Sequence, residues 1–278
     1  MQVSGNISKM SVTADEHGNV EYLLGFSEQS VHMNSLIGQE IQMSWQQEIN
    51  CMNCNRKTKK SFSQGYCFPC MQKLARCDTC IIKPELCHYD QGTCREPQWG
   101  EANCLNSHFV YLSNTGAIKV GITRFADNTI SSRWIDQGAT QAVAILRVQN
   151  RLISGLAEKA IGQYVGDKTN WRTMLKGQIP ELDLVQKRDE LLQLAHEDLE
   201  EISEEYGLQA IEYLDLPPVV IQYPVEQYPT KIKSINLDKE PVFSGTLMGI
   251  KGQYLMLDGD RVINMRKYSG YNMTLATS

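Results

Sequence analysis

The sequence predicts an α+β fold in which a cysteine-rich, zinc-ribbon-like segment precedes a compact α/β core and β-rich segments flank both ends. Two C-x2-C turns, Cys51–Cys54 and Cys67–Cys70, have the spacing of a ribbon-type metal site. Strand-like pairs followed by amphipathic helices occupy the middle of the chain, and alternating β-forming runs occupy both ends. With 278 residues, 42% of them hydrophobic, the chain can bury a core as one large domain or as two to three small ones.

Residues 1–50 are predicted to form an N-terminal β segment. Residues 19–26 and 40–45 are rich in β-forming side chains or alternate in polarity. The run Asp15-Glu16-His17-Gly18 is typical of a turn. We therefore expect short strands joined by tight turns in this segment.

Residues 51–107 are predicted to form a zinc-binding, cysteine-rich region. Each C-x2-C turn can point two sulfurs at one ion, and the insert at residues 55–66 has the length of a short hairpin. The predicted ligands of a structural Zn²⁺ are Cys51, Cys54, Cys67 and Cys70. The alternative is two disulfides, but cysteines in a C-x2-C turn close poorly on each other and nothing else in the sequence indicates secretion.

Five further cysteines predict a second structural zinc site: Cys77, Cys80, Cys87, Cys94 and Cys104. Cys77 and Cys80 form a third C-x2-C turn that needs two partners, and the sequence does not choose among the other three. A histidine, His88 or His108, could replace one sulfur, so that nine cysteines fit two four-ligand sites with one left over. The alternatives are reduced, buried cysteines that pack as small hydrophobes, or a redox-active turn.

Residues 108–180 are predicted to form the α/β core. The turn Asn114-Thr115-Gly116 separates two strand-like runs and is typical of a hairpin. Apolar residues recur with a helical period later in the segment. The predicted elements are strands at 108–113 and 117–122, a short helix at 130–137, a strand at 142–148 and an amphipathic helix at 152–165.

The remaining chain is predicted to form one long acidic helix at residues 181–207 and a β-rich, small barrel-like segment at residues 208–278. Gly207 is a natural helix stop. Asp258-Gly259-Asp260 is typical of a hairpin turn between alternating strands. This tail could pack with the N-terminal strands.

The formal net charge is −5, so bulk charge does not predict a polyanion-binding protein. The charge is uneven, however, because residues 51–76 carry six basic and no acidic side chains, whereas residues 183–205 carry nine acidic and two basic ones. The basic lobe predicts contact with DNA or RNA, and a solvated surface is the alternative. The predicted nucleic-acid contacts are Arg56, Lys57, Lys59, Lys60, Lys168 and Arg172.

A membrane location is not predicted. The N-terminus has no basic-then-apolar leader pattern, and no apolar run reaches the ~18 residues that a membrane span needs. Together with the zinc-type cysteine spacing, this favours a reducing cytoplasm.

Five polar residues of the core form a candidate site for phosphodiester cleavage: Tyr111, Lys119, Arg133, Glu158 and Asn170. Glu158 would bind Mg²⁺ or Mn²⁺, and Arg133 would contact phosphate. Tyr111 would activate water, and Asn170 would orient the site. Four of these residues also have a structural alternative: a packing tyrosine, an arginine stacked on tryptophan, a solvated glutamate and a turn-capping asparagine.

The chain resembles a bacterial family, the domain-of-unknown-function 2797 family, over most of its length. The resemblance implies no activity. It is carried by Glu158 and by residues 65–70, 84–88, 92–95, 108–112, 119–124, 133–138 and 167–172.

The core also resembles the GIY-YIG nuclease domains. In this resemblance Tyr111 matches the tyrosine of the first motif and Gly121 the glycine of the second. Arg133 matches the arginine of the following helix, and Glu158 matches the metal-binding glutamate. Asn170 follows Glu158 at the interval common in these domains. The resemblance implies metal-dependent nuclease activity.

Two departures separate this chain from the GIY-YIG pattern. Phe109-Val110-Tyr111 replaces the first triad and lacks its leading glycine. Lys119-Val120-Gly121 replaces the second triad, so that a lysine stands where a tyrosine is expected. An amine with a pKa near ~10.4 needs burial or a cationic neighbour to act as a base. Tyr111 is therefore the expected base.

Three functions are consistent with these patterns. The first is metal-dependent cleavage of nucleic acid. The second is non-catalytic nucleic-acid binding by the basic lobe and the core. The third is a protein-interaction scaffold in which zinc replaces missing hydrophobic core.

Overall fold

The computed structural model describes residues 1–126, 130–166, 170–177 and 179–277. These residues form fifteen β-strands, seven α-helices and several short 3-10 helices. The strands are β1 (Gln2–Asn6), β2 (Ser11–Ala14), β3 (Val20–Phe26), β4 (Gln29–His32), β5 (Glu40–Ile49), β6 (His108–Asn114), β7 (Ile118–Thr123), β8 (Gln141–Val148), β9 (Ile211–Tyr213), β10 (Val219–Val220), β11 (Lys233–Ser234), β12 (Val242–Lys251), β13 (Tyr254–Leu257), β14 (Arg261–Asn264) and β15 (Tyr271–Thr277). The helices are α1 (Phe68–Lys73), α2 (Pro97–Cys104), α3 (Ser132–Asp136), α4 (Arg151–Gly162), α5 (Trp171–Leu175), α6 (Leu184–Leu194) and α7 (His196–Tyr206).

The largest sheet joins both ends of the chain. Its seven strands lie in the order β1-β15-β5-β12-β13-β14-β11. Strand β15 lies between β1 and β5, with Leu275 opposite Val3 on one side and Met43 on the other. The expected packing of the C-terminal segment against the N-terminal strands is therefore confirmed. The order is an open path, so pairing among the described strands does not close it into the barrel-like form expected from the sequence.

The main core is shared by this sheet and by a three-stranded sheet, β2-β3-β4. Strand β3 buries alternate side chains, as a strand with one solvated face does. Tyr22, Leu24, Ile41 and Met273 are fully buried in this core. The N-terminal β segment is thus anchored by the last strands of the chain.

A second, antiparallel sheet forms the α/β unit. It has the order β10-β8-β6-β7, and β9 also pairs with β8. Helix α4 covers one face, where Ile153 and Ala157 pack with Val110 and Ile145 in one core. Helix α4 begins at Arg151 because the Asn150 Oδ1 atom accepts a hydrogen bond from the Ile153 backbone N–H at 3.0 Å. The predicted sequence of hairpin, short helix, strand and amphipathic helix is present, and its sheet also recruits strands from residues 211–220.

The predicted single acidic helix is wrong, because two helices occupy this segment. The backbone leaves the helical region at Ala195 (φ −92°, ψ 8°), which separates α6 from α7. Helix α6 packs on strands β6 and β8 and also on α4, and α7 packs on α4 as well. With the break, Leu191 and Leu199 both reach the same core.

The cysteine-rich region, all of whose residues are described, contains two helices and short 3-10 turns but no β-strand. The insert at residues 55–66 forms isolated bridges, Asn50 to Lys57 and Phe62 to Tyr66, instead of the hairpin predicted from its length. The large side chains Phe68, Ile82 and Leu86 are exposed in this region. Little hydrophobic core therefore supports it, as in segments that a metal holds together.

Candidate functional site: a four-cysteine centre and a basic cleft

The four cysteines of the predicted first zinc site lie together. The Sγ atoms of Cys51, Cys54, Cys67 and Cys70 are all within 4.8 Å of one another. The Sγ atoms of Cys54 and Cys67 are 3.8 Å apart. Tetrahedral zinc with Zn–S bonds of about 2.3 Å separates its sulfurs by about 3.8 Å. The set therefore fits a metal ion such as Zn²⁺.

Backbone hydrogen bonds lock the two cysteine turns against each other. The Cys51 carbonyl accepts from the Asn55 N–H at 2.8 Å, which closes the first turn. The Met52 N–H donates to the Gly65 carbonyl at 2.7 Å and so ties the first turn to the second. Gly65 has a φ of +132°, and a Cβ atom there would lie 2.7 Å from the Met52 side chain. Only glycine allows this close approach.

The local electrostatics shift the thiol pKa values of this centre in opposite directions. Burial raises the pKa of the Cys51 thiol, but backbone hydrogen bonds from Cys67, Cys54 and Asn53 outweigh it and lower the pKa to about 6. Burial and neighbouring sulfurs raise the pKa of Cys70 to about 12, as expected for clustered thiols without a shared cation. A hydrogen bond and charge interaction with Cys54 raise the pKa of the Arg56 guanidinium.

The other five cysteines are divided between two surroundings. Cys80, Cys87, Cys94 and Cys104 line one small cavity. Cys77 instead lines a large open cleft beside Ser63. The third C-x2-C turn therefore points its two sulfurs in different directions.

A mixed group of possible metal ligands borders the same small cavity. Ligand atoms of Asp78, Cys80 and His88 lie within 4.8 Å of one another. The Asp78 carboxylate already pairs with the Arg95 guanidinium at 2.6 Å and lies 3.5 Å from the His88 Nε2 atom. The His88 Nδ1 atom is 2.7 Å from the Thr93 hydroxyl.

Tyr111, the predicted base, is fully buried on β6. Its hydroxyl donates to the Gln137 Oε1 atom at 2.9 Å, and its ring meets Trp134 edge-on at 5.8 Å between centroids. Burial raises the pKa of Tyr111 to about 12, although the charge of Arg133 opposes this. A phenol in this environment stays protonated near neutral pH, so these contacts favour a positioning role over activation of water.

Lys119, Arg133 and Glu158 lie around Tyr111 and interact through their charges. Burial lowers the pKa of Lys119, and Arg133 lowers it further. Burial raises the pKa of the half-buried Glu158, whereas Arg133 and Lys119 oppose this effect. Glu85, which the sequence analysis did not single out, also raises the pKa of Glu158 through its charge. One carboxylate and two cations of the predicted catalytic set are thus close neighbours.

Asn170 is a helix cap. Its Oδ1 atom accepts a hydrogen bond from the Arg172 backbone N–H at 3.0 Å, which starts α5. The Arg172 guanidinium lies 4.5 Å from the centroid of the Trp171 ring, and Trp171 stacks on Tyr254 at 5.4 Å. Lys168 lies outside the described residues.

A large basic cleft lies between the cysteine-rich region, the α/β unit and the seven-stranded sheet. Its volume is about 680 Å³, within the ~300–1,000 Å³ typical of ligand sites. Two carboxylates, Asp78 and Asp136, reach it. The basic side chains that line it are Lys9, Arg76, Arg124, Arg133, Arg151 and Arg266.

Among the described residues, most of this positive charge has no paired carboxylate. Asp136 binds Lys9 at 2.6 Å and lies 4.0 Å from Arg266. For the other four arginines of the cleft, no carboxylate of the described residues lies within ion-pair distance. Arg124 instead contacts the Asn103 side chain, and the Arg151 Nη2 atom donates to the Ile81 carbonyl at 2.7 Å.

Two buried polar atoms at the wall of the cleft have no hydrogen-bond partner among the described residues: His108 Nε2 and Arg151 Nε. The His108 Nδ1 atom lies 2.7 Å from the Asn106 carbonyl and donates to it, which leaves Nε2 as an acceptor. Burial lowers the pKa of His108 to about 4, and the charges of Arg151 and Arg124 act in the same direction. The wall of the cleft therefore holds a neutral acceptor and an arginine donor that are both buried and both without a partner among the described residues.

The basic residues predicted from the 51–76 charge run do not line this cleft, except Arg76. The Lys57 Nζ atom lies 3.0 Å from the Glu48 carboxylate, and the Arg56 guanidinium interacts with Cys54 of the cysteine centre. Lys59 and Lys60 are exposed. The sequence analysis missed the cleft because its cations come from distant parts of the chain.

Among the described residues, no helix has the length and apolar character needed to cross a membrane.

Comparison with known proteins places the chain in a family. No curated protein and no solved structure gives a significant match. A family model described as a protein of unknown function (DUF2797) matches residues 38–273, which is most of the chain. The GIY-YIG resemblance of the core stays a prediction. The chain is a member of the DUF2797 family.

Proposed function

We propose that this protein binds the phosphodiester backbone of DNA or RNA in the basic cleft, with zinc at the Cys51 centre holding one wall in place. The cationic lining of the cleft carries the proposal. Six basic side chains face two carboxylates, and Asp136 is the partner of only two of the six. Charge of this density is costly to hold unless an anion shares the space.

The residue types suit phosphate in particular. Five of the six cations are arginines, whose planar guanidinium can give two parallel hydrogen bonds to a phosphate.

The nine cysteines form no disulfide. Reduced cysteines gathered into metal-type clusters support a cytoplasmic location, where thiols stay reduced.

The binding experiment compares the cleft with the exposed lysines outside it. Fluorescence anisotropy with labelled single- and double-stranded DNA and RNA at several salt concentrations gives affinity and its salt slope. Replacing Arg76 and Arg124 by alanine should weaken binding at least tenfold and reduce the slope by about 0.9 for each lost duplex phosphate contact. Replacing Lys59 and Lys60 by alanine is the charge-matched control and should change binding little. Equal effects of the two double variants, or no binding to any of the four nucleic acids, would reject the cleft as the binding site.

A second candidate function is metal-dependent cleavage of the bound strand. It is supported by Arg133, which lines the cleft and interacts through its charge with Glu158 and Lys119. Glu158 would hold Mg²⁺ or Mn²⁺, and Arg133 would contact the scissile phosphate. Glu158→Gln keeps the shape of the side chain and should abolish Mg²⁺-dependent cleavage while leaving binding intact. Binding without cleavage by the wild-type protein would reject this candidate and leave the first standing.

A further inference from the structure

We infer that Cys80, Cys87, Cys94 and Cys104 bind a second structural Zn²⁺ and that Cys77 is the ninth, uncoordinated cysteine. All four lie at one cavity, which has a volume of about 10 Å³. That is room for about one water-sized sphere, so a single ion fits. This assignment shares Arg151 with the proposed nucleic-acid binding, but zinc content tests it without reference to nucleic acid.

The four residues line the same cavity, although no three of their sulfurs lie within 4.8 Å of one another, in contrast to the Cys51 centre. Binding of one ion by all four therefore requires the sulfurs to come closer together than they lie in the structure.

Arg151 supplies the charge that a four-thiolate site needs. Four thiolates and one Zn²⁺ carry a net charge of about −2. The half-buried Arg151 guanidinium interacts with the charges of Cys104 and Cys80. No carboxylate of the described residues lies within ion-pair distance of it. A zinc–thiolate centre at the cavity would place a negative charge beside this guanidinium.

Arg56 offers a parallel at the first centre. Its guanidinium interacts with Cys54, Cys67 and Cys70 and has no carboxylate partner among the described residues. Each group of four cysteines therefore has one arginine beside it.

Cys77 is excluded by its surroundings. It lines the basic cleft, and its nearest hydrogen-bonding neighbour is Ser63. Cys77 and Cys80 lie in separate 3-10 turns, Ala75–Cys77 and Thr79–Ile81, and line different cavities.

A rival ligand set contains Asp78, Cys80 and His88, whose ligand atoms are already gathered. Asp78 is already engaged, because it accepts hydrogen bonds from Arg95 and from the Thr79 N–H. The His88 Nδ1 atom contacts Thr93, which leaves Nε2 available as a ligand atom, so a His88 variant is needed to decide between the two ligand sets. We place Asp78 and His88 beside the zinc ligands and not among them, because four cysteines line the cavity.

The test is the zinc content of the full-length protein and its variants, measured by mass spectrometry of the metal and normalised to protein. Wild-type protein should carry two zinc ions per chain. Cys87→Ser should lose half of the zinc, whereas the matched variant Cys77→Ser should keep all of it. His88→Gln should also keep both ions. One zinc ion in the wild type, or loss of half the zinc in Cys77→Ser or His88→Gln, would overturn the assignment.

X-ray absorption at the zinc edge keeps the inference testable if Cys87→Ser does not fold. The wild-type protein should show only sulfur neighbours at about 2.3 Å from zinc. A shell of nitrogen or oxygen near ~2.0 Å would instead support the rival set and overturn the four-cysteine assignment.

Discussion

Gly121 lies directly beneath the ring of Tyr111, because the two residues are opposite each other on β6 and β7 and a Cβ atom at Gly121 would stand 2.5 Å from the Tyr111 hydroxyl oxygen. The neighbouring strand therefore fixes the position of the phenol. The hydroxyl is held at the other side by Gln137.

Gly121→Ala should lower the free energy of unfolding by about 1–3 kcal/mol, because the added methyl group displaces the buried Tyr111 ring. Chemical denaturation measures this change. The matched control is Gly162→Ala, since a Cβ atom at Gly162 meets nothing within 4 Å. That control should leave stability unchanged or raise it by up to ~1 kcal/mol, as expected for alanine in a helix. Equal stability of the two variants would contradict the packing described for Tyr111.

Asn170→Ala should lower stability by about 1 kcal/mol through loss of the cap of α5, whereas Asn170→Asp should retain the cap. Thermal unfolding of both variants measures the difference. If the wild type cleaves nucleic acid, the cap role predicts that Asn170→Asp keeps that activity. A loss of cleavage in Asn170→Asp at unchanged stability would instead show that the amide acts in the site.

Removal of zinc from the Cys51 centre should loosen the cysteine-rich region, because little hydrophobic core supports it. Cys67→Ser should reduce the zinc content and lower the melting temperature. It should also expose residues 55–66 to proteases. Cys77→Ser, which changes a cysteine outside both groups of four, is the control and should behave as the wild type. An unchanged melting temperature after chelation and loss of zinc would contradict a structural role for the metal.

We predict that the burial of Lys251 makes the stability of the folded protein depend on pH. Its side chain is fully buried, and its Nζ atom has no hydrogen-bond partner among the described residues. The ammonium group lies 5.1 Å from the ring centroid of Tyr223 and 5.6 Å from that of Tyr228. Burial lowers the pKa of Lys251 to about 8. Compared with the ordinary value for lysine, this corresponds to about 3 kcal/mol at pH 7.

The direction of this pH dependence follows from whether the folded or the unfolded chain holds the proton on Lys251. Between pH 8 and 10.5 the unfolded chain keeps a proton on Lys251 that the folded protein has released, so stability rises with pH in this window. Below pH 8 the free-energy cost of burying the charged Lys251 ammonium group is fully present. Lys251→Met should raise the free energy of unfolding at pH 7 by about 1–3 kcal/mol and remove the rise.

Urea denaturation at pH 7.5 and 9.5 tests this prediction by comparing the variant with the wild type, because cysteines and tyrosines that titrate in this range are the same in both. Lys239→Met is the control, because Lys239 is exposed. It should change neither the stability nor its pH dependence. A destabilised Lys251→Met variant would show that the stacked tyrosines outweigh the burial of the charge.

The sequence was sufficient to predict the gathering of four cysteines at the Cys51 centre and most elements of the α/β unit. Cys51, Cys54, Cys67 and Cys70 are close along the chain, so spacing alone predicts that they converge. The hairpin turn at Asn114-Thr115-Gly116 is formed as predicted, with Gly116 at a φ of +102°. Local patterns such as these depend on few residues.

The cleft could not be predicted in the same way. Lys9, Arg124 and Arg266 come from three distant segments, and only the folded sheets bring them together. The break at Ala195 could not be predicted either, because alanine favours a helix and the break depends on how α6 and α7 pack in the folded protein. Burial of Tyr111 depends on the Trp134 ring and on Gly121, which spacing cannot reveal.

The position of β15 has a consequence for synthesis of the chain. This strand fills the slot between β1 and β5, more than 200 residues away in sequence. During synthesis on the ribosome, the edges of β1 and β5 that pair with β15 stay unpaired until residues 271–277 have emerged. Long-range pairing of this kind is slow, and unpaired strand edges invite association. A nascent chain that stalls before residue 271 therefore exposes two open edges, which makes it a natural target for chaperones and proteases.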